Sequence, residues 1–89
     1  MRFLRKLELA EVCATTGRER VAVIILEELA EQITALNLIG WEPSEIIGRV
    51  WGQLYRHYMR SSDDSDRAKA AAVYLNLCHL DPWQALRWS

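Results

Sequence analysis

The chain has 89 residues, of which 51% are hydrophobic, and a net charge of −1 from 11 basic and 12 acidic side chains. This length suits one domain over residues 1–89, and the apolar fraction suits one hydrophobic core with surface left over for a partner. The balanced charge argues against a dedicated nucleic-acid binder, because such proteins use a basic excess to neutralise phosphates.

Two cysteines, Cys13 and Cys78, lie far apart in the sequence. A disulfide-stabilised secreted domain would carry more cysteines at closer spacing, so both are expected to be small, buried, reduced side chains. No stretch has the length and apolar character of a signal peptide or a membrane span. These features predict a cytoplasmic protein with no membrane segment.

The first helix is predicted over residues 2–14, and the second over about 17–37. The first helix carries on one face Phe3, Leu7, Ala10 and Ala14. Between the two helices, residues 16–19 (TGRE) form a capping-box pattern, in which Thr16 caps the backbone N–H of Glu19. Asn37 and Gly40 are residue types that end helices, and they close the second one.

Two further helices and a short terminal turn complete the pattern. The third helix begins around Pro43, which suits a first helical turn because it lacks an N–H, and it runs to about Arg60. A loop over 61–66 precedes a fourth helix that ends near Leu80, and Asp81 caps a last turn over 83–88. The predicted fold class is therefore all-α: a compact bundle of about four helices plus a short C-terminal helical turn.

The second helix carries apolar side chains on more than one side. Its predicted core face consists of Ala22, Ile25, Leu26, Leu29, Ile33 and Leu36. Val23 and Ile24 lie among or beside the polar residues of the opposite side. This arrangement indicates a second contact on that side, beyond the core.

The third helix holds two glycines, Gly48 and Gly52, one turn apart within a wide apolar face. Each glycine costs a helix interior about 1 kcal/mol relative to alanine, so the pair indicates close approach of another helix. That helix belongs to the same fold, to a second copy in a homodimer, or to a partner protein. The sequence leaves all three alternatives open.

A narrow strip of the same helix carries three candidate partner-binding residues, Arg49, Arg56 and Arg60. Their guanidinium groups can grip phosphates or an acidic partner protein. The alternative is pairing with acidic side chains of the same chain, which are available at Glu27, Glu28, Glu31, Asp63, Asp64 and Asp66. The supply of these acids favours pairing within the chain.

The chain has four tryptophans. Trp51 is expected in the core, and Trp41 is expected to clasp the start of the third helix. Trp83 and Trp88 lie on the terminal turn and are further candidate partner-binding residues. They either dock this turn on the bundle, since chain ends fray without such contacts, or present a binding hot spot.

Glu27, Glu28 and Glu31 form the pattern EExxE on the second helix. This pattern resembles the first half of the metal-binding motif of MazG-like nucleotide pyrophosphohydrolases, which are all-α enzymes. The resemblance implies that the three carboxylates share Mg²⁺, which bridges a triphosphate and activates water. The family completes the site with an ExxD pair on the next helix, whereas residues 45–48 here read EIIG, with glycine in the aspartate position.

The function predicted first is a small, non-enzymatic helical adaptor, regulator or inhibitor that binds another protein and needs no cofactor. The apolar faces and the tryptophans favour it, and small phage proteins that block host machinery share this size. One alternative is a Mg²⁺-dependent MazG-like nucleotide pyrophosphohydrolase, or its inactive relative. Another is a nucleic-acid-binding regulator that uses the three arginines. A homodimer is compatible with each of these functions.

Overall fold

Five helices account for most of residues 2–89, the part of the chain that the computed structural model describes. They are α1 (Arg2–Thr15), α2 (Glu19–Ala35), α3 (Ser44–Arg60), α4 (Asp64–Leu80) and α5 (Pro82–Trp88). Outside the helices, the described residues include one isolated bridge between Ile39 and Glu42. The prediction of an all-α bundle with about four helices and a short C-terminal helical turn is confirmed. None of the helices in this range is long and apolar enough to cross a membrane.

The turn between α1 and α2 corrects the predicted capping box. The Thr16 hydroxyl donates to the carbonyl oxygen of Val12 over 2.8 Å, and the Thr16 N–H bonds to the same carbonyl over 3.0 Å. Helix α2 begins at Glu19 without a side-chain cap at Arg18. The prediction that Thr16 caps α2 is wrong, because the backbone at Thr16 still follows the last turn of α1 and directs the hydroxyl back along that helix.

Helix α2 ends two residues earlier than predicted. Its last residue is Ala35, and the connection to α3 contains two residues with left-handed backbone, Asn37 (φ 50°) and Gly40 (φ 95°). Since the chain leaves the helical path at Leu36, this side chain does not lie with the core face and is 65% exposed. The prediction of Leu36 as a core residue is therefore wrong.

Each of the last two helices has an aspartate side chain at its N-cap. Asp63 accepts a hydrogen bond from the N–H of Ser65, and Asp81 accepts one from the N–H of Trp83. Pro82 occupies the first turn of α5, where its missing N–H leaves no bond unmade. The cap at Asp81 is confirmed, and α4 begins at Asp64, within the segment predicted as loop.

Helix α3 lies at the centre of the molecule. Helices α2, α4 and α5 all pack on it, while α1 packs on α2. Its buried residues are Ile47, Gly48, Val50, Trp51, Gly52, Leu54 and Tyr58. They join side chains from the other helices, including Leu7, Leu29 and Leu77, in one core cluster. The radius of gyration of 12.2 Å matches the value of about 12 Å for a compact domain of this length.

The two glycines of α3 are the positions at which α5 packs closely against it. A Cβ atom on Gly48 would collide with the side chain of Gln84, and one on Gly52 would collide with the ring of Trp88. Gln84 is only 4% exposed and donates from Nε2 to the carbonyl oxygen of Ser44 over 2.8 Å. The close approach predicted from the glycines is confirmed, and the approaching helix belongs to the same chain.

This contact predicts that alanine at position 52 destabilises the fold even though alanine favours helices. We expect Gly52→Ala to lower the free energy of unfolding by about 1–2 kcal/mol. This net value combines an overpacking cost of about 2–3 kcal/mol, at the upper end of the usual range because the new Cβ atom would collide with the Trp88 ring, with a helix-propensity gain of about 1 kcal/mol. Urea denaturation followed by circular dichroism measures the difference.

The matched control is Trp88→Ala, which removes the ring that the new methyl group would meet. In that background Gly52→Ala should stabilise the chain by about 1 kcal/mol, because only the propensity term remains. A destabilisation of equal size in both backgrounds would contradict the assigned contact.

Candidate functional site

Arg49 is half-buried and joins α3 to α1. Its Nε donates to Glu11 Oε2 over 3.0 Å, its Nη2 donates to Glu11 Oε1, and Gln53 Nε2 donates to Glu11 Oε2 over 2.8 Å. The side chains of Arg49 and Glu11 are about 30% exposed, at 32% and 30%. The hydrogen bonds to Glu11 raise the pKa of Arg49. The guanidinium therefore makes a two-point contact with a carboxylate of the same chain.

The other two arginines of the strip also have partners within the chain. Arg60 Nη2 donates to Glu19 Oε1 over 2.8 Å, and His57 Nδ1 lies 3.2 Å from the same oxygen. These neighbours lower the pKa of Glu19, His57 through its hydrogen bond first and Arg60 through its charge next. The guanidinium carbon of Arg56 lies 4.7 Å from the ring centroid of Trp88, a cation–π contact.

Pairing within the chain was the alternative that the sequence favoured, but the predicted acids are not the ones used. Glu11 and Glu19 supply the carboxylates for Arg49 and Arg60. The loop aspartates and the EExxE glutamates were predicted in that role. The reason for the difference is how the helices pack. The basic strip of α3 faces the end of α1 and the start of α2, where Glu11 and Glu19 lie.

Two of the three EExxE glutamates contact different partners, and Glu31 is exposed. Glu27 Oε2 accepts the hydroxyl of Tyr58 over 2.6 Å, and Glu28 pairs with Lys6 over 2.7 Å. Burial, followed by the hydrogen bond to Glu27, raises the pKa of Tyr58. Within residues 2–89 no three His, Cys, Asp or Glu side chains come together in a way that could hold a metal ion. Glu27 and Glu28 contact separate partners, and a magnesium site at Glu27, Glu28 and Glu31 stays a prediction.

These glutamates instead line one wall of a groove of about 1030 Å³ between α2 and α4. We call it the α2–α4 groove. Its α2 wall consists of Ile24, Glu27, Glu28, Ala30, Glu31, Thr34 and Ala35; its base of Trp51, Leu54 and Tyr58; and its α4 wall of Lys69, Ala72, Val73 and Asn76. The sequence predicted a second contact on the Ile24 side of α2, and this groove lies there.

A second exposed apolar region lies where α3 and α5 begin. The hydrogen bond from Gln84 to the Ser44 carbonyl places the first turn of α5 beside the first turn of α3. Five exposed apolar side chains, which we call the apolar end, belong to the α2–α3 connection and to α5, the two segments next to this hydrogen bond: Leu36 (65%), Ile39 (52%), Trp41 (83%), Trp83 (76%) and Leu86 (66%). Trp41 does not clasp α3 as predicted, since its side chain projects into solvent.

The two terminal tryptophans have opposite roles. Trp88 packs against the core beside Gly52 and under Arg56, so it docks α5 on the bundle. Trp83 lies on the other side of the same short helix and is exposed. The sequence allowed either docking or exposure for both rings, and the structure assigns one to each.

A family model described as "Type VI secretion, EvfE, EvfF, ImpA, BimE, VC_A0119, VasJ" matches residues 1–54. The chain belongs to this type VI secretion family. No curated protein and no solved structure matches it. The part of this type VI secretion protein that matches covers α1, α2 and most of α3, including both Glu11 and Arg49. The resemblance to MazG-like hydrolases stays a prediction, which none of these comparisons bears on.

The Glu11–Arg49 contact predicts that Arg49 of this type VI secretion protein stabilises its fold. In a double-mutant cycle of Glu11→Gln and Arg49→Met, we expect a coupling energy of roughly 1 kcal/mol, at the upper end for ion pairs near a surface. Chemical denaturation at low and high salt measures it, and the coupling should shrink as salt screens the pair.

Arg20→Met is the control, because Arg20 is exposed and has no ion pair among those of residues 2–89. It should change the free energy of unfolding by less than about 0.5 kcal/mol. If Arg49→Met were equally neutral, Arg49 would be free to serve a partner, and the structural role would be wrong.

Proposed function

We propose that this chain is a non-enzymatic protein-interaction module of type VI secretion, and that it binds another protein through the apolar end. Membership of the family supports the cellular process, and the exposure of Trp83 supports the mode of action. Trp83 is the one observation that carries the proposal: a tryptophan 76% exposed on a helix whose opposite side is anchored by Gln84 and Trp88.

The rigid mounting of Trp83 matters for its use in binding. Helix α5 is capped by Asp81, seated on two glycines and hydrogen-bonded to Ser44 through Gln84. The backbone of such a helix loses little further freedom when a partner covers Trp83, so less of the binding energy is spent on ordering the main chain. Tryptophan is also the residue type most enriched at binding hot spots.

The amount of apolar surface at the apolar end suits a specific contact. An aromatic side chain of this size buries about 150–250 Å² when covered. At about 25 cal/mol per Å², covering Trp41 and Trp83 removes surface worth several kcal/mol from water. Leu36, Ile39 and Leu86 extend the same exposed region.

The arginine strip gives less support to nucleic-acid binding. Each of its guanidinium groups already has a carboxylate or an aromatic ring as a neighbour in the same chain. Phosphate binding would have to replace these contacts, whereas covering Trp83 replaces only water. Protein binding is therefore the function that the exposed surface favours.

The proposal predicts that Trp83→Ala weakens partner binding and spares the fold. Because the side chain is mostly exposed, the free energy of unfolding should change by less than about 0.5 kcal/mol. Loss of a hot spot should cost about 2 kcal/mol of binding, or roughly thirtyfold in Kd. The partner is identified first, by photo-crosslinking from benzoylphenylalanine placed at position 83 in the native host, and the purified pair is then measured by calorimetry.

Two controls separate binding from folding. Trp88→Ala should destabilise the fold by about 2 kcal/mol or more, since it removes the ring that packs on Gly52 and leaves a cavity there. Benzoylphenylalanine at Arg67, an exposed position in the first turns of α4, should not yield the adduct obtained from position 83. The same adduct from both positions, or adducts at position 83 only with proteins outside type VI secretion, would refute the proposal.

A further inference from the structure

The α2–α4 groove lies between two helices that have no extensive contact with one another. Both α2 and α4 rest on α3, which holds them apart. The lining residues of α2 extend from Ile24 to Ala35, twelve positions whose eleven steps span about 16 Å at 1.5 Å per residue. This length accommodates about three turns of another helix.

The surface of the groove is mostly apolar, and both of its walls include alanines. Trp51 and Tyr58 close its base and are 5% exposed each, so an occupant would rest mainly on the walls. Ala30 and Ala35 belong to the α2 wall, and Ala72 belongs to the α4 wall. Small residues let helix axes approach to the 8–10 Å that is typical of packed helices, so a helix fits this groove better than a flat surface would.

Helix α4 is poorly covered for a helix within a bundle. Only Ala70 and Leu77 of its residues are buried, while Leu75 is 55% exposed and both Ala71 and Ala72 are exposed. A solvent-facing helix of a globular protein usually carries charged residues on its outer face. Here the central part of α4 carries alanine and leucine instead. Of these exposed residues, Ala72 lines the groove, whereas Ala71 and Leu75 lie outside it.

The two rims of the groove carry opposite charge. Glu27, Glu28 and Glu31 lie along the α2 rim, and Lys69 lies on the α4 rim. Glu28 is partly neutralised by Lys6, whereas Glu31 is exposed and takes part in none of the ion pairs of residues 2–89. The α2 rim is therefore acidic and complements a basic occupant.

We propose that the α2–α4 groove binds an amphipathic α-helix of a partner protein, with its apolar stripe in the groove and lysine or arginine residues along the edge that faces α2. The occupant presents apolar anchors at i, i+3, i+4 and i+7, as helices that bind in grooves do. The apolar stripe supplies most of the affinity, while the rim charges select the partner and orient it. This site is separate from the apolar end and stands independently of the function proposed for Trp83.

The first test blocks the groove with a matched pair of variants. Ala72 lines the groove and Ala71 does not, although both are exposed on α4. A display library of single amphipathic helices, about 14 residues each so that a helix can form in water, is selected against the full chain. Selected peptides should lose at least about tenfold in affinity for Ala72→Trp, a difference of 1.4 kcal/mol, and keep their affinity for Ala71→Trp.

The second test concerns charge. We expect selected peptides to carry lysine or arginine beside the apolar stripe. Glu31→Lys should weaken their binding about threefold or more at low salt, with the effect fading as salt rises. Glu8→Lys is the control, because it makes the same charge change on α1, away from the groove. Amide chemical shifts on adding peptide should move at Ala30, Glu31 and Ala72 rather than at Trp83.

Several results would overturn this proposal. It fails if no helix is enriched, if enriched peptides are acidic or extended, or if Ala71→Trp and Ala72→Trp have equal effects. A dimer in sedimentation that Ala72→Trp dissociates would assign the groove to a second copy of the chain instead. Because Trp83→Ala leaves the groove intact, failure of either site is distinguishable from failure of the other.

Discussion

The seating of α5 on the two glycines of α3 is the contact on which the arrangement of this molecule depends. At Gly48 and Gly52 the side chains of Gln84 and Trp88 occupy the space that any Cβ atom would take. This contact closes the third side of α3, after α2 and α4 have covered the other two. Once α5 is fixed in this way, its outer side is fixed too, and Trp83 is held away from the core.

The central position of α3 also explains the groove. Helices α2 and α4 both pack on α3. With its side chains an α-helix is about 10–12 Å in diameter, so α3 keeps these two helices from packing closely together. Helices α2 and α4 consequently face each other across a gap instead of packing together. The acidic residues of α2 border this gap, and the basic strip of α3 is directed elsewhere, toward Glu11 and Glu19.

The features that could be predicted from the sequence are those determined by short-range physics. Helix periodicity, the cap at Asp81 and the cost of glycine in a helix all act within a few residues. They correctly predicted the fold class and the close approach at Gly48 and Gly52. Thr16 shows the limit of such patterns, since a capping box needs a backbone that has already left the preceding helix.

Contacts between distant helices could not be predicted in the same way. Arg49 had several candidate acids, and its partner Glu11 depends on how α1 packs beside α3, which no local pattern encodes. Trp83 and Trp88 looked equivalent because a helix of seven residues gives little periodicity from which to assign faces. Leu36 was misplaced for a related reason: the exact end of α2 decides whether its side chain faces the core or solvent.

The residues that match the family model form only part of each proposed binding surface. The match ends at Leu54, inside α3, so α4 and α5 lie outside it. The matched part supplies the acidic wall and most of the base of the α2–α4 groove, and also Trp41 at the apolar end. Ala72, Lys69 and Trp83 come from the unmatched part. Each proposed surface thus combines residues from 1–54 with residues from 55–89. The packing of residues 55–89 on the matched helices brings these two parts together.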